Sequence, residues 1–347
     1  MRMRALIGAT FVAWAALPAL ALVASADGGP PLPPVDAGPP LRPPLTVLRA
    51  AERAPSASGI ATHAPQKELI VLVGGYASGS DDHVFDAFRA RVAEEGGYDV
   101  VRFGQDLGAY DTFGAVDANA VQLRDSVRTA SIGYGGVHIV THSMGGVVAD
   151  RAFELGLSAA DGVTTYVAWA APHDGAHAAQ ALQATLTVSG PVRDDTRAFT
   201  AAHFRDPDSA AVHDLARAHV SGPPPGVARL DLRLATDVLV SSADARDPGV
   251  ASRVLLPGSF GELEGHGGIL KSDEALDLTL ATIRSHAVPP DERGIALRTA
   301  TEVVAQTLDG HAQLALSAVC GLCLLGGIGG LLRRTLRRAL PWPPLSE

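Results

Sequence analysis

The chain has only two cysteines among its 347 residues, Cys320 and Cys323, and both lie near the C-terminus. The residues before them contain no cysteine, so no disulfide bond stabilises a domain built from them. The C-x-x-C spacing also occurs in metal and redox sites, but here the neighbours are apolar. We interpret both cysteines as small apolar residues of that segment.

Metal motifs and an excess of positive charge are also missing. The twelve histidines are scattered and none belongs to an H-E-x-x-H motif, so the sequence indicates no metal site and no cofactor. Acidic residues outnumber basic ones, 37 to 28, which gives a net charge of −9. A nucleic-acid-binding protein needs the opposite balance, so we expect no nucleic-acid partner.

The N-terminus has the composition of a targeting segment. Two arginines in Met1–Arg4 precede an apolar run, and Ala24-Ser25-Ala26 resembles a cleavage site. We predict a signal peptide over residues 1–26, with an uncleaved N-terminal anchor as the alternative. In both cases the following domain leaves the cytoplasm. Residues 27–66 are rich in proline and glycine, which predicts a semi-extended linker.

The C-terminal segment has the composition of a membrane anchor. Residues 314–332 are almost wholly apolar, and four arginines follow directly. This pattern predicts a transmembrane helix over 312–332 and a cytoplasmic tail over 333–347. A buried helix of the domain core is the alternative. Residues 289–311 would form a membrane-proximal helical stalk, and the protein would be a single-pass cell-membrane protein with its domain outside the cytoplasm.

Residues 67–288 read as one folded domain in which strands and helices alternate. Such alternation predicts an α/β fold with a mostly parallel sheet and helices on both faces. Reactive groups then lie at the carboxyl ends of the strands. The predicted strands are 69–73, 98–103, 137–141, 165–170, 230–235 and 253–256, and the predicted helices are 83–95, 118–130, 147–157 and 272–285.

An insertion over residues 172–228 interrupts this alternation. It shows no convincing strand, but 177–186 and 209–220 have helical patterns. A long insertion in a compact α/β domain is often a lid over a site, and a solvated helical decoration is the equal alternative.

Ser143 is the candidate nucleophile. The stretch Val137–Ala149 reads as a buried strand, a sharp turn and the start of a helix, with Gly145 and Gly146 after the serine. This is the layout of a nucleophile elbow, G-x-S-x-G, although Thr141 stands where the motif has its first glycine. Small neighbours are needed because the two backbones pass close together there.

A serine hydroxyl needs a base to take its proton and an acid to orient that base. Asp237 follows the strand 230–235, and His266 lies between glycines on a predicted loop before the last helix. Both residues follow Ser143 in the order expected of a Ser-Asp-His triad. Asp174 and Asp244 remain rival acids.

The oxyanion formed by serine attack needs backbone donors placed beforehand. The Met144 N–H, at the start of the helix after Ser143, is one candidate. The second should come from the loop after the first strand, from Tyr76 N–H or else from Gly75. His142 and His173 we interpret as packing or hydrogen-bonding residues rather than bases.

These stretches resemble bacterial lipases of the α/β-hydrolase superfamily. Val137–Gly146 is similar to their elbow, Thr236–Val240 and Gly265–Leu270 to their acid and base segments, and Ala171–Gly175 to a T-P-H-x-G run. The likeness covers about 69–285. It implies an α/β-hydrolase fold and hydrolysis of a small-molecule or lipid ester through an acyl-enzyme, without a cofactor.

The sequence therefore predicts a membrane-anchored serine esterase or lipase. An acyltransferase or thioesterase with the same triad is the alternative within enzymes. A catalytically silent hydrolase fold that serves as a surface binding module is the alternative outside them.

Overall fold

The structure is a computed structural model. It describes residues 66–79, 83–187, 206–217, 221–237, 239–241 and 243–310. The predicted signal peptide, almost all of the linker, the predicted transmembrane helix and the tail lie outside these residues. Within the described ranges, no helix combines the length and the apolar character needed to cross a membrane.

Six parallel strands form one sheet in the order β2-β1-β3-β4-β5-β6. They are β1 (Glu68–Val73), β2 (Tyr98–Arg102), β3 (Val137–His142), β4 (Val163–Trp169), β5 (Ala228–Leu234) and β6 (Ala251–Leu255). All six correspond to predicted strands, and the predicted parallel α/β class is confirmed. Apolar runs such as that of β1 are the reason, because a strand covered on both faces buries the side chains of both faces.

Helices cover both faces of the sheet. They are α1 (Asp86–Glu95), α2 (Val116–Ala130), α3 (Met144–Glu154), α4 (His177–Thr187), α5 (Ala210–Leu215) and α6 (Asp273–Ser285). Alternate residues of β1 point to opposite faces: Leu69 and Val71 join the core with α2 and α3, whereas Ile70 and Leu72 join the core with α1 and α6.

The strand order reverses between β1 and β3. From β1 the chain moves to one edge to form β2, and from β3 it moves stepwise towards the other edge. The loops after β1 and β3 therefore flank a topological switch point, where open α/β sheets bind ligands beyond the carboxyl ends of their strands. Ser143 directly follows β3.

Two local predictions need correction. The helix after Ser143 begins at Met144, three residues before the predicted start, because the elbow turns without a connecting loop. The predicted loop around His266 is instead a segment of 3-10 helix, Phe260–Lys271, which is interrupted at Gly265. At that residue φ is +74°, a conformation that glycine adopts without strain.

A buried ion cluster connects α3 to β5 and the neighbouring loops. The Arg229 guanidinium lies 2.8 Å from Asp247, 3.2 Å from Asp231 and 3.3 Å from Asp150. His173 contacts two of these carboxylates, at 2.5 Å from Asp150 and 3.3 Å from Asp231. Burial opposes a charge on His173, but the two aspartates outweigh it and raise the pKa of the imidazole. His173 thus has the structural position that the sequence indicated.

The segment predicted as a stalk is helical over 295–310 and packs against the edge of the sheet. Ala305 is buried and contacts Ala235 and Val254. Arg233 donates to the Glu302 carboxylate at 3.0 Å. This helix is therefore attached to the β5–β6 side of the domain.

Candidate active site

Ser143 occupies a strained turn between β3 and α3. Its φ is 56° and its ψ is −130°, a conformation that costs a non-glycine residue free energy and that nucleophile elbows have. The Ser143 N–H donates to the Trp169 carbonyl at 2.9 Å, and the Ser143 carbonyl accepts from Gly146 N–H at 2.9 Å. These two bonds hold the turn between the ends of β3 and β4.

Three glycines are required by close approach around the serine. A Cβ on Gly145 would overlap the carbonyl oxygens of Val73 and Gly74, and a Cβ on Gly146 would overlap Ala171. A Cβ on Gly75 would lie 2.8 Å from Ser143 Cβ and 3.2 Å from its Oγ. The loop after β1 therefore lies directly against Ser143, as the switch point between β1 and β3 requires.

Asp237 and His266 form a hydrogen-bonded pair, with 2.7 Å between His266 Nδ1 and Asp237 Oδ2. The carboxylate is 2% exposed and its other oxygen accepts the backbone N–H groups of Leu239 and Val240, both at 3.0 Å. This bonding fixes the carboxylate and selects the tautomer in which Nδ1 carries the proton. The second ring nitrogen, Nε2, is then free to accept one.

His142 links this pair to the elbow. Its Nε2–H donates to the His266 carbonyl at 3.3 Å, and the two imidazole rings lie 4.8 Å apart at 36°. Burial, helped by the proximity of His266, lowers the pKa of His142 to about 3, so its ring is neutral at pH 7. Residues 142 and 266 thus contact each other beside Ser143.

In the described part of the chain, no hydrogen bond joins Ser143 Oγ to His266. Catalytic hydrogen bonds are often long in a protein without substrate and shorten when substrate binds. The structure therefore brings His266 and Asp237 to the elbow, but it shows no hydrogen bond between His266 and Ser143.

The loop after β1 is held in a compact turn. Ser78 Oγ donates to the Gly75 carbonyl at 2.7 Å, and Tyr110 OH donates to the Gly74 carbonyl at 2.8 Å. The Tyr76 ring packs edge-on against Phe113, and its hydroxyl donates to the Asp206 carbonyl at 2.8 Å. The backbone of this loop is thereby fixed beside Ser143, and part of the insertion contacts it.

Neither rival acid is paired with His266. Asp174 is exposed, and its N–H donates to the Asp244 carbonyl at 2.7 Å. The Asp244 carboxylate is buried and bonds His177 at the start of α4. Asp237 is thus the acid candidate whose carboxylate contacts the imidazole.

Two clusters of histidine and carboxylate groups among the described residues have the spacing of metal ligands. In Asp150–His173–Asp247 the guanidinium of Arg229 already supplies a cation. Glu68–His138–His286 lies at the opposite end of the sheet from Ser143. Sequence reasoning missed both clusters, and also the bond from His142 to His266, because each joins residues far apart in the chain.

Comparison with known proteins found a family model that is similar to part of this chain. Residues 122–203 match the family model described as a PGAP1-like alpha/beta domain. This segment is 82 of 347 residues and contains Ser143 but neither Asp237 nor His266. No curated protein matches the chain in sequence.

Solved structures similar to the chain include lipases and esterases. The Bacillus licheniformis lipase BlEst2 is 15% identical, with 67% of this chain and 96% of that chain covered and a TM-score of 0.47. Aspergillus fumigatus lipase B is 18% identical, with 73% and 62% covered and a TM-score of 0.42. A metagenomic carboxyl esterase is 18% identical, with 79% of each chain covered and a TM-score of 0.38. Similarity at this level does not transfer a substrate.

The chain has an α/β-hydrolase fold, with a parallel six-stranded sheet and an elbow between β3 and the following helix. The fold expected from the sequence is confirmed.

Proposed function

We propose that the protein is a serine hydrolase that cleaves carboxylic esters, with Ser143 as nucleophile, His266 as base and Asp237 as the acid that orients it. The observation that carries the proposal is the position of the Asp237–His266 pair against His142, beside the strained Ser143 turn. A serine in such a turn next to an oriented imidazole has the two components that nucleophilic catalysis needs.

In the acylation step Ser143 Oγ attacks the ester carbonyl carbon, and its proton passes to His266 Nε2. The Met144 N–H at the start of α3 and the Tyr76 N–H of the loop after β1 stabilise the resulting oxyanion. The C–O bond to the alcohol then breaks, and His266 returns the proton to the leaving oxygen. Asp237 stabilises the imidazolium that exists between these two transfers.

In the deacylation step water replaces the alcohol. His266 takes a proton from the water as its oxygen attacks the acyl carbon, and then returns that proton to Ser143 Oγ. The carboxylic acid leaves and the enzyme is regenerated. An alcohol or thiol acceptor would follow the same path, so product analysis separates hydrolysis from acyl transfer.

The experiment that tests the proposal combines labelling by a fluorophosphonate probe with hydrolysis of p-nitrophenyl esters of increasing acyl length. The wild type should be labelled and should hydrolyse at least one ester. Ser143→Ala should lose the label and reduce kcat about 10⁴-fold or more, because the nucleophile is gone.

Ser131→Ala is the matched control, since Ser131 caps the C-terminal end of α2 and its hydroxyl donates to the local Arg128 carbonyl. It should keep both label and activity. A folded wild-type protein that takes no label and cleaves no ester would contradict the proposal and would favour a binding module.

The proposed substrate is a lipid ester, and the proposed location is the outer side of a cell membrane. Three features support this. The insertion contacts the loop beside Ser143 through the Tyr76–Asp206 bond, which suits a lid. The apolar segment over 312–332 suits a membrane anchor, and residues 1–26 suit an export signal. Hydrolysis of short soluble esters with none of long-chain esters in vesicles would contradict the lipid assignment.

A fractionation experiment tests the anchor separately. The full chain should remain with the membrane fraction after a high-salt wash, whereas a chain that ends at residue 310 should be released. Equal release of both chains would contradict the anchor without affecting the proposed chemistry.

A further inference from the structure

Three side chains from distant parts of the sequence converge at the amino end of the central strands. Glu68 begins β1, His138 is the second residue of β3, and His286 ends α6. His138 and Ser143 are five positions apart along an extended strand, which corresponds to about 16 Å. The cluster is therefore separate from the proposed active site.

The three side chains direct their polar atoms towards one point. His138 Nε2 lies 3.2 Å from Glu68 Oε2, and His286 Nε2 lies 2.9 Å from Glu68 Oε1. One ligand atom from each residue lies within 4.8 Å of the others. Around a tetrahedral ion bound at 2.0–2.1 Å, ligand atoms lie about 3.3 Å apart, so small side-chain movements would bring all three into contact with one ion.

We propose that Glu68, His138 and His286 bind one divalent transition-metal ion, of which Zn²⁺ is the representative. Two imidazoles and one carboxylate are ligands that Zn²⁺ and its neighbours prefer, whereas Ca²⁺ and Mg²⁺ prefer oxygen alone. The His286 and Glu68 side chains are 42% and 21% exposed, so the ion has a path from solvent and water completes its coordination.

The surroundings of His138 are those of a metal ligand. The ring is fully buried, and Nδ1 lies 2.8 Å from Thr165 Oγ1 and 3.2 Å from Thr164 Oγ1. Thr164 donates its hydroxyl proton to the Val137 carbonyl, so its oxygen can accept from Nδ1–H. A metal-bound histidine usually donates its other ring N–H in this way, which leaves Nε2 to bind the ion.

The backbone holds the carboxylate in place. Glu68 pairs with Tyr98 across the sheet, and its side chain lies against Gly135 and Gly136. A Cβ on Gly136 would approach Glu68 Oε1 to 3.2 Å, so the two glycines leave the space that the carboxylate occupies. The nearby Glu95 is paired with Arg284 at 3.3 Å and is not needed as a ligand.

Without a metal, hydrogen bonds connect these groups. His138 Nε2–H can donate to Glu68, while a threonine hydroxyl donates to Nδ1. When the ion binds Nε2, the proton of Nε2 moves to Nδ1, where the Thr164 hydroxyl oxygen can accept it, and the imidazole keeps one proton. The bound ion would link the paired strands β1 and β3 to the end of α6.

The test uses the full chain after treatment with a chelator. Zn²⁺ is titrated by calorimetry in two buffers of different ionisation enthalpy, and Co²⁺ by its visible absorption. We expect one saturable equivalent and a Tm increase of about 5–10 °C at a hundredfold excess over Kd. Ca²⁺ should produce none of these effects.

Variants at the exposed ligands avoid disturbing the core. His286→Gln and Glu68→Gln should each weaken Zn²⁺ binding at least tenfold and abolish the Co²⁺ spectrum. His83→Gln is the matched control, because His83 is an exposed histidine paired with Asp86 at 2.6 Å outside the cluster, and it should bind as the wild type does. Absence of a stoichiometric site, or unchanged binding in both cluster variants, would overturn the proposal. Neither result bears on Ser143, so the esterase proposal is tested independently.

Discussion

At the scale of single residues, His142 connects the strand before the proposed nucleophile to the proposed base. Its N–H bond to the His266 carbonyl positions the segment that carries the imidazole. His142→Phe should lower kcat about 10- to 100-fold with little change in KM, because a small displacement of the base affects the transition state more than substrate binding. Steady-state kinetics on a soluble ester measures both parameters.

His142→Gln is the matched variant, since the glutamine side-chain N–H can still donate to the His266 carbonyl. It should recover most of the activity lost in His142→Phe. Equal losses in the two variants would show that the ring is needed only for packing, which contradicts a positioning role.

His142 also gives stability a pH dependence. Its pKa is lowered, chiefly by burial, to about 3 in the folded state, against an unfolded value of about 6.5. Between these values only the unfolded state binds the proton, so the free energy of unfolding falls by about 1.4 kcal/mol per unit as pH decreases below 6.5. Denaturant titrations from pH 7 to 4 should show a shallower decrease for His142→Phe than for the wild type. Identical slopes would contradict this assignment.

Gly75 tests the close contact beside the nucleophile. In Gly75→Ala the new methyl group would lie 2.8 Å from Ser143 Cβ, so the serine must move and kcat should fall at least tenfold. Gly79→Ala, on the same loop, adds a methyl group that meets no heavy atom of the described residues within 4 Å, its chain neighbours aside, and it should keep wild-type activity. Probe-labelling rates and ester hydrolysis compare the two. Wild-type activity in Gly75→Ala would show that the loop moves to accommodate the methyl group, which contradicts this prediction.

At the scale of elements, His177 attaches the start of α4 to the loop that follows Asp237. The hydrogen bond that His177 donates to the Asp244 carboxylate raises the pKa of His177, so protonation strengthens the contact. Its contribution is fully present below an unfolded pKa of about 6.5 and is lost as pH rises through the raised folded value. Hydrogen exchange of the α4 amides, corrected for intrinsic rates, should therefore be slower at pH 6 than at pH 9.

Asp244→Asn should remove this pH dependence. Asp208→Asn is the control, because it affects the exposed Asp208–His213 pair of the same insertion, and such pairs contribute little. An unchanged pH dependence in Asp244→Asn would contradict the role of the His177 contact.

Elements with strong local patterns could be predicted from the sequence. The β1 run Leu69–Val73 is apolar at each position because helices cover both of its faces, and this burial is visible without a structure. The start of α3 at Met144 was missed because the elbow is set by backbone geometry rather than by hydrophobic periodicity. The 3-10 segment around His266 was missed because glycines favour a loop in sequence, and tertiary packing decides otherwise.

At the scale of the whole molecule, the ion cluster around Arg229 connects α3, β5 and the loops at Asp247. Arg229→Met would leave three buried carboxylates with only His173 to compensate them, so the free energy of unfolding should decrease by about 3–5 kcal/mol. Urea titration of the full chain measures the change in the free energy of unfolding.

Arg128→Met is the control, because its ion pair with Asp161 is partly exposed and should contribute at most about 1 kcal/mol. Similar decreases in the free energy of unfolding of the two variants would show that the buried cluster stabilises the fold no more than a partly exposed ion pair does.

The sequence by itself determined the parallel α/β class and the three residues proposed for catalysis. Ser143, Asp237 and His266 each follow a strand or precede a helix in an order that local patterns reveal. Only the tertiary structure decided that Asp237, rather than Asp174 or Asp244, contacts His266. Which aspartate contacts His266 depends on how three strands and their loops are arranged in the folded protein.

Only the tertiary structure brought Glu68, His138 and His286 together. Their separations along the chain are 70 residues between the first two and 148 between the last two, by subtraction of their numbers. Periodicity and motif spacing record which face of a local element is buried. They contain no information about which strands become neighbours, because strand order and register are set by the packing of the complete sheet.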